Sequence, residues 1–194
     1  MYYHASPAAG LTVLEPRLSE HGTPLVYFSE KRENVLVYLS NAVERVCRAT
    51  GFVHEGAFAK WGPYGFDPDG RQRIEEYWPN ALEETYRGVS GWIYAAERID
   101  APGKPIGIPF AATSTAPVEV CAAEFVPDAL DAILRAERSG LLAVTRYAEL
   151  SDKTRAWLAA TIRREYAETG RPEYRHFLRE KFPLLKKNGA DGAS

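Results

Sequence analysis

Three groups of side chains in this 194-residue chain stand at spacings that could do chemistry. Glu75, Glu76, Glu83 and Glu84 surround Tyr77 and Trp78, and carboxylates set among aromatic faces suit a sugar or a cationic ligand. Adjacent carboxylates point apart on an extended strand, so Glu75 and Glu76 cannot act as a catalytic pair on one face, and binding is the better form of this reading. Glu119 and Glu124 form the second group, inside "PVEVCAAEF". Their opposite parity sends them to opposite faces of a continuous strand unless a bulge intervenes. The third group lies at the beginning: His4 in "YYHAS", Tyr27 and Ser29 in "VYFS", and Arg17 in "LEPR". An arginine there suits an anion, because its guanidinium fork matches phosphate geometry. The chain contains no GxGxxG, GxxxxGK[ST], HExxH or GxSxG, which sets aside the enzyme classes that need those motifs.

His4-Ala5-Ser6, then Val26-Tyr27-Phe28-Ser29, then Tyr38 in a following helix resemble the His-Tyr-Glu pattern of the ADP-ribosyltransferase-like fold. That pattern has a first-strand H-G-[ST], a second strand ending in Y-[FA]-[ST], and often another tyrosine beyond it. The likeness covers about the first 50 residues. It implies that NAD is a substrate whose nicotinamide–ribose bond is cleaved. His4 would then hold ribose hydroxyls and Tyr27 would offer its face to nicotinamide, with Ser6, Ser29 and Tyr38 as further binding residues and Arg17 as an anion contact near the entry. A glutamate would steady the positive charge developing on the ribose. Glu119 is the first candidate for that role and Glu124 the second, and the acceptor of ADP-ribose is left open. Ala5 departs from the usual glycine and keeps the backbone further from a ligand. The same fold includes RNA 2′-phosphotransferases and members without transferase activity, so the alternative is an inactive ligand- or partner-binding protein.

The elements that must position these residues follow from the punctuation of the chain. Short strand-like runs "YYH", "LTVLEP" and "PLVYFS" are separated by Pro7, Gly10, Pro16, Gly22 and Pro24. Apolar residues recurring from Val35 to Val46 predict one helix over 31–49, started at Ser29 and stopped by Gly51. Residues 52–80 hold aromatics among Gly, Pro and charge, which predicts a loop or hairpin turning at Asp69-Gly70, with 58–78 as a wall of the cleft. Strands are expected at 91–99, 118–126 and in "LLAVTRY". Asp128 should cap a helix over 129–138 ended by Gly140, and further helices should start at Ser151 or Asp152 and at Pro172.

Strands that do not alternate with helices argue for an α+β domain over residues 1–150 with a mixed, mostly antiparallel sheet. A helical segment, 151–187, would pack on it and end in a frayed tail, 188–194. Trp157, Tyr166, Tyr174, Phe177, Phe182 and Leu185 on that segment would either pack on their own domain or dock a partner or a second copy. The apolar fraction of 45% is enough for a sizeable core. With 24 basic and 26 acidic residues the net charge is −2, which gives no general attraction to nucleic acid or an anionic membrane. Residues 2–5 are too polar and aromatic for a secretory leader, and no apolar window is long enough to cross a bilayer. Cys47 and Cys121 lack metal-ligand spacing and are expected to be buried free thiols in a reducing cytoplasm.

Overall fold

Short runs rich in β-branched and aromatic residues build the sheets, with buried and half-buried positions alternating along Gln72–Glu75. The computed structural model describes residues 1–18 and 23–186; Gly22 and the 188–194 tail lie outside the described residues. In chain order the strands are β1 (Tyr2–Ser6), β2 (Val13–Leu14), β3 (Arg17–Leu18), β4 (Pro24–Ser29), β5 (Tyr64–Phe66), β6 (Gln72–Glu75), β7 (Gly91–Ala96), β8 (Ala111–Ser114), β9 (Val118–Glu119), β10 (Ala122–Val126) and β11 (Ala143–Thr145). The helices are α1 (Ala42–Ala49), α2 (Ala81–Tyr86), α3 (Ala129–Arg138), α4 (Asp152–Glu168) and α5 (Pro172–Lys181), with a 3-10 helix over Glu33–Tyr38. The fold is α+β. Its main sheet is antiparallel in the order β10-β7-β1-β4-β3, with β8 also on β4. The hairpin β5–β6 takes β11 in parallel, and β2 pairs with β9. Among the described residues no helix is long and apolar enough to cross a membrane.

The expected helix over 31–49 is in fact two. The 3-10 helix ends at Leu39, whose backbone (φ −83°, ψ 66°) leaves the helical region, and α1 restarts after Asn41. The reason lies in the packing. Val35, Leu36, Val37 and Leu39 enter a core formed with Ile93, Ile133 and Leu142. Ala42, Val43 and Cys47 enter another, with Trp61, Ile162 and Phe177. A straight helix has one apolar stripe and cannot serve two cores lying on different sides of it.

The expected strand 118–126 is also divided. Val118–Glu119 pairs with β2, whereas Ala122–Val126 pairs with β7. The switch of partner leaves Phe125 exposed, resting at 5.2 Å from the Trp92 ring, while Val118 and Val126 are buried. It also places Cys121 at the surface, contrary to the expected burial, while Cys47 is buried; both thiols are free.

Three helix ends follow their sequence signals. The Asp128 carboxylate accepts from the Asp131 amide, Ser151 Oγ accepts from Thr154, and Pro172 opens α5, where a missing N–H costs nothing. Gly140 takes φ +72°, the left-handed conformation of a helix stop.

The C-terminal helices pack on α1 and the aromatic loop rather than on the main sheet. Trp61 is the hub, within 5.1 Å of the Phe177 ring and 5.9 Å of Phe182. Trp157 alone of the aromatics proposed for docking is largely exposed. Phe177→Ala should therefore cost about 3–5 kcal/mol, and Trp157→Ala should stay within about 0.5 kcal/mol, measured from denaturant midpoints. Equal effects would contradict this division of the segment into core and surface.

Candidate functional site

A single register pair, Tyr3 opposite Ser29, joins β1 to β4. By antiparallel spacing the next pair would set Ala5 opposite Tyr27, but the strands have diverged by then. In place of a ladder bond, His4 Nδ1–H donates to the Tyr27 carbonyl at 2.9 Å. The carbonyl can only accept, which fixes the proton on Nδ1 and leaves Nε2 as a lone-pair acceptor in the neutral ring. Burial lowers the His4 pKa from 6.5, outweighing the opposing effect of the Tyr27 bond, and the charge of Arg17 lowers it further. The ring also rests edge-on against Phe28 at 6.0 Å.

A cleft of about 1120 Å³ opens at this divergence. One wall carries His4, Tyr27 and Ser29. Further lining comes from the 3-10 helix with Asn34 and Tyr38, from Lys60 in the loop before β5, and from the β5–β6 hairpin with Tyr64, Phe66 and Gln72. A proline-rich strap, residues 104–109, forms the rim with Lys104, Ile106 and Ile108. Gly62 holds the hairpin close: a Cβ there would lie 2.6 Å from Tyr86 Oη and 2.8 Å from the Val37 carbonyl. The strap is tied at its far end by Glu30 N–H to the Phe110 carbonyl, 2.8 Å. Phe110 sits at φ +59°, a costly conformation for a residue with a side chain, under the Lys31 ammonium 5.0 Å from its ring.

The polar inventory of the cleft is distinctive. Tyr38 and Tyr64 hydroxyls meet at 2.8 Å, and desolvation, with Tyr64 next, pushes the Tyr38 phenol well above its ordinary pKa. Lys60 Nζ donates to the Ser40 carbonyl at 2.8 Å, and burial of that end lowers its pKa while Glu44 opposes the shift. Neither Lys60 nor Lys104 forms an ion pair among the described residues. No Asp or Glu lines the cleft among the described residues.

Of the candidates read from the sequence, the structure brings His4, Tyr27, Ser29 and Tyr38 together here. Ser6 is outside the lining; its Oγ accepts from the Ala8 amide at 3.2 Å. Arg17 is exposed on β3, close enough for its charge to act on His4. Glu119 is exposed on β9 opposite Val13, and it does not line the cleft. Glu124 is occupied elsewhere: it takes Arg32 Nε at 2.8 Å in a two-bond pair, which holds its carboxyl below the usual range. The parity expected of these two glutamates lapses because the strand breaks between them.

The carboxylate–aromatic group at 75–84 is structural. Glu75 pairs with Arg73 at 2.7 Å. Buried Glu76 accepts the amides of Leu82 and Tyr147, both at 3.0 Å, tying α2 to the end of β11. Glu83 pairs with Arg87, and Glu84 takes Trp78 Nε1 and Lys181. Trp61, Tyr77 and Trp78 pack inward with the C-terminal helices, so only part of the 58–78 stretch is cleft wall.

Asn34, Lys60, Gln72 and Lys104 are cleft residues that sequence reading did not single out. Gln72 had a signal, since it shares a strand face with core Ile74, and a polar residue on an inward face is informative. Asn34 interrupts an otherwise apolar helix face, whereas the two lysines carry nothing that separates them from surface lysines.

No family model, no curated protein and no solved structure matches this chain.

The depressed His4 pKa has a measurable consequence. Between its folded value and 6.5 the unfolded chain binds more protons, so this group's stabilising effect is complete above 6.5 and is lost as pH falls towards the folded pKa. Denaturation midpoints between about pH 5 and pH 8 should fall less steeply on acidification in His4→Asn, which keeps an N–H near the Nδ1 position. An NMR titration of His4 centred at or above 6.5 would remove the basis for this expectation.

Proposed function

We propose that the cleft binds a nucleotide-type anion such as NAD, ADP-ribose or a mononucleotide, and that it recognises this ligand without cleaving it. The observation that carries this reading is the pairing of aromatic walls with two lysines that form no ion pair among the described residues, in a cleft with no carboxylate among its described lining residues. Tyr27, Tyr38, Tyr64 and Phe66 offer flat faces to a base or nicotinamide ring. Lys60 and Lys104 offer charge to phosphate, in a cleft whose low-dielectric walls strengthen that attraction.

Cleavage of the nicotinamide–ribose bond asks for more. A fixed carboxylate must face the sugar as positive charge develops on it, whereas Glu119 lies exposed outside the cleft lining and Glu124 is paired with Arg32. The gathering of His4, Tyr27, Ser29 and Tyr38 supports an ADP-ribosyltransferase-like binding site, and the position of the glutamates supports its inactive form.

Titration of the purified chain by thermal shift tests this. NAD and ADP-ribose should raise the melting temperature in a saturable manner, because a ligand of the native state stabilises it by about 2.7 kcal/mol at a hundredfold excess over Kd. Uncharged adenosine should bind more weakly. Replacing Lys60 and Lys104 together by Gln should weaken ADP-ribose by roughly tenfold, the equivalent of about 1.4 kcal/mol. Adenosine binding as tightly as ADP-ribose would defeat the anion reading. Nicotinamide release that disappears in Glu119→Gln or Glu124→Gln would restore a transferase.

A further inference from the structure

Two carboxamides lie side by side in the wall of this cleft. Asn34 is only 6% exposed and lines the cleft, and among the described residues its side-chain amide forms no hydrogen bond. Its amide atoms are not among the fully enclosed unpartnered ones and so remain open to the cleft, where a ligand can supply the partners that buried polar groups usually have. Gln72, 2% exposed, lies beside it. Its Nε2 donates to the Asn34 backbone carbonyl at 3.2 Å. Since that carbonyl can only accept, the orientation of the Gln72 amide is determined, and Oε1 is the atom left without a partner in a dry position.

Asn34 therefore presents amide N–H donors beside a carbonyl acceptor to the cleft that His4 and Tyr27 also line. Phosphate cannot satisfy it, having no N–H to give. Ribose hydroxyls could meet one carbonyl but do not hold a donor and an acceptor in one plane. An amino-bearing nucleobase does so: its exocyclic amine carries two N–H groups, and a ring nitrogen beside it accepts. This is the edge that asparagine and glutamine carboxamides recognise in two-bond pairing with adenine.

We propose that Asn34, positioned by Gln72, selects the ligand's ring by reading the amine-and-ring-nitrogen edge of an aminated nucleobase. This rests on the anionic-ligand reading of the cleft and assigns the end of the ligand that the lysines leave unspecified. Asn34 binds the base directly. Gln72 holds the Asn34 backbone through Nε2 and acts as a positioning residue, its own Oε1 being closed off from the cleft.

The test compares the Kd values of AMP, UMP and ribose 5-phosphate for the wild type, Asn34→Leu and Gln72→Met. These replacements keep side-chain size but remove the amides. The wild type should prefer AMP to ribose 5-phosphate by about tenfold or more. Asn34→Leu should bring AMP down to the level of ribose 5-phosphate and leave ribose 5-phosphate itself unchanged, which shows that the fold and the anion site persist. Gln72→Met should narrow the preference for AMP over UMP. Undiminished AMP affinity in Asn34→Leu overturns the proposal. If Asn34→Leu loses both ligands, Gln72→Met decides, and an unchanged ratio of AMP to UMP there also overturns it. Equal wild-type affinity for AMP and ribose 5-phosphate defeats base reading while the anion site stands. Failure of the wild type to bind any of the three removes both.

Discussion

Backbone carbonyls near a sheet must be satisfied, and two strands that share one register pair and then part leave such groups behind. The His4–Tyr27 bond meets that demand with a side chain. Much else depends on this substitution. It ties β1 to β4 beyond their single register pair, at the place where the cleft opens. It fixes one tautomer of His4 and turns a mobile titratable ring into part of the wall. A ring held by one nitrogen and buried at its edge against Phe28 resists protonation, so the wall stays neutral where Lys60 and Lys104 supply the charge.

The opposite wall obeys a different constraint. The 3-10 helix sends Val35, Leu36 and Val37 into the core below the sheet, and what it has left for the cleft is Asn34 and Tyr38. A tighter helix places side chains in near-eclipsed rows three residues apart, so its apolar and polar residues do not sort into the broad stripe of an α-helix. The break at Leu39 then frees α1 to turn its own apolar face to Trp61 and Phe177. The stretch from Glu33 to Leu39 thus builds a core, a wall of the cleft and the junction to a second core.

Much of this was legible in local signals and little of it where long-range pairing decides. Asp128, Ser151, Pro172 and Gly140 act on neighbours within a few residues, and the structure uses each as the sequence indicates. His4, Tyr27, Ser29 and Tyr38 converge as expected because the two opening strands and the following helix are close in the chain. The helix over 31–49 and the strand over 118–126 looked continuous because periodicity records that a residue is buried without recording against what. Glu119 and Glu124 could be placed on a late strand, but their partners, Val13 and Arg32, lie about a hundred residues away in sequence. The strand β8 and the strap before it were hidden for the same reason, since "GIPFAATS" is ordinary sequence until β4 lies beside it.

The position of Trp61 next to Lys60 connects the two halves of the molecule in time as well as in space. Lys60 faces the cleft, while Trp61 is clamped among Phe177, Phe182 and Trp78. A local opening that lifts α5 away would release Trp61 and with it the backbone that carries Lys60. A ligand held by Lys60 in the way proposed would oppose that opening, as any ligand of the closed arrangement must. Occupancy of the cleft would then be readable at a distance, as slower hydrogen exchange in the amides of α5, a helix no part of which lines the cleft.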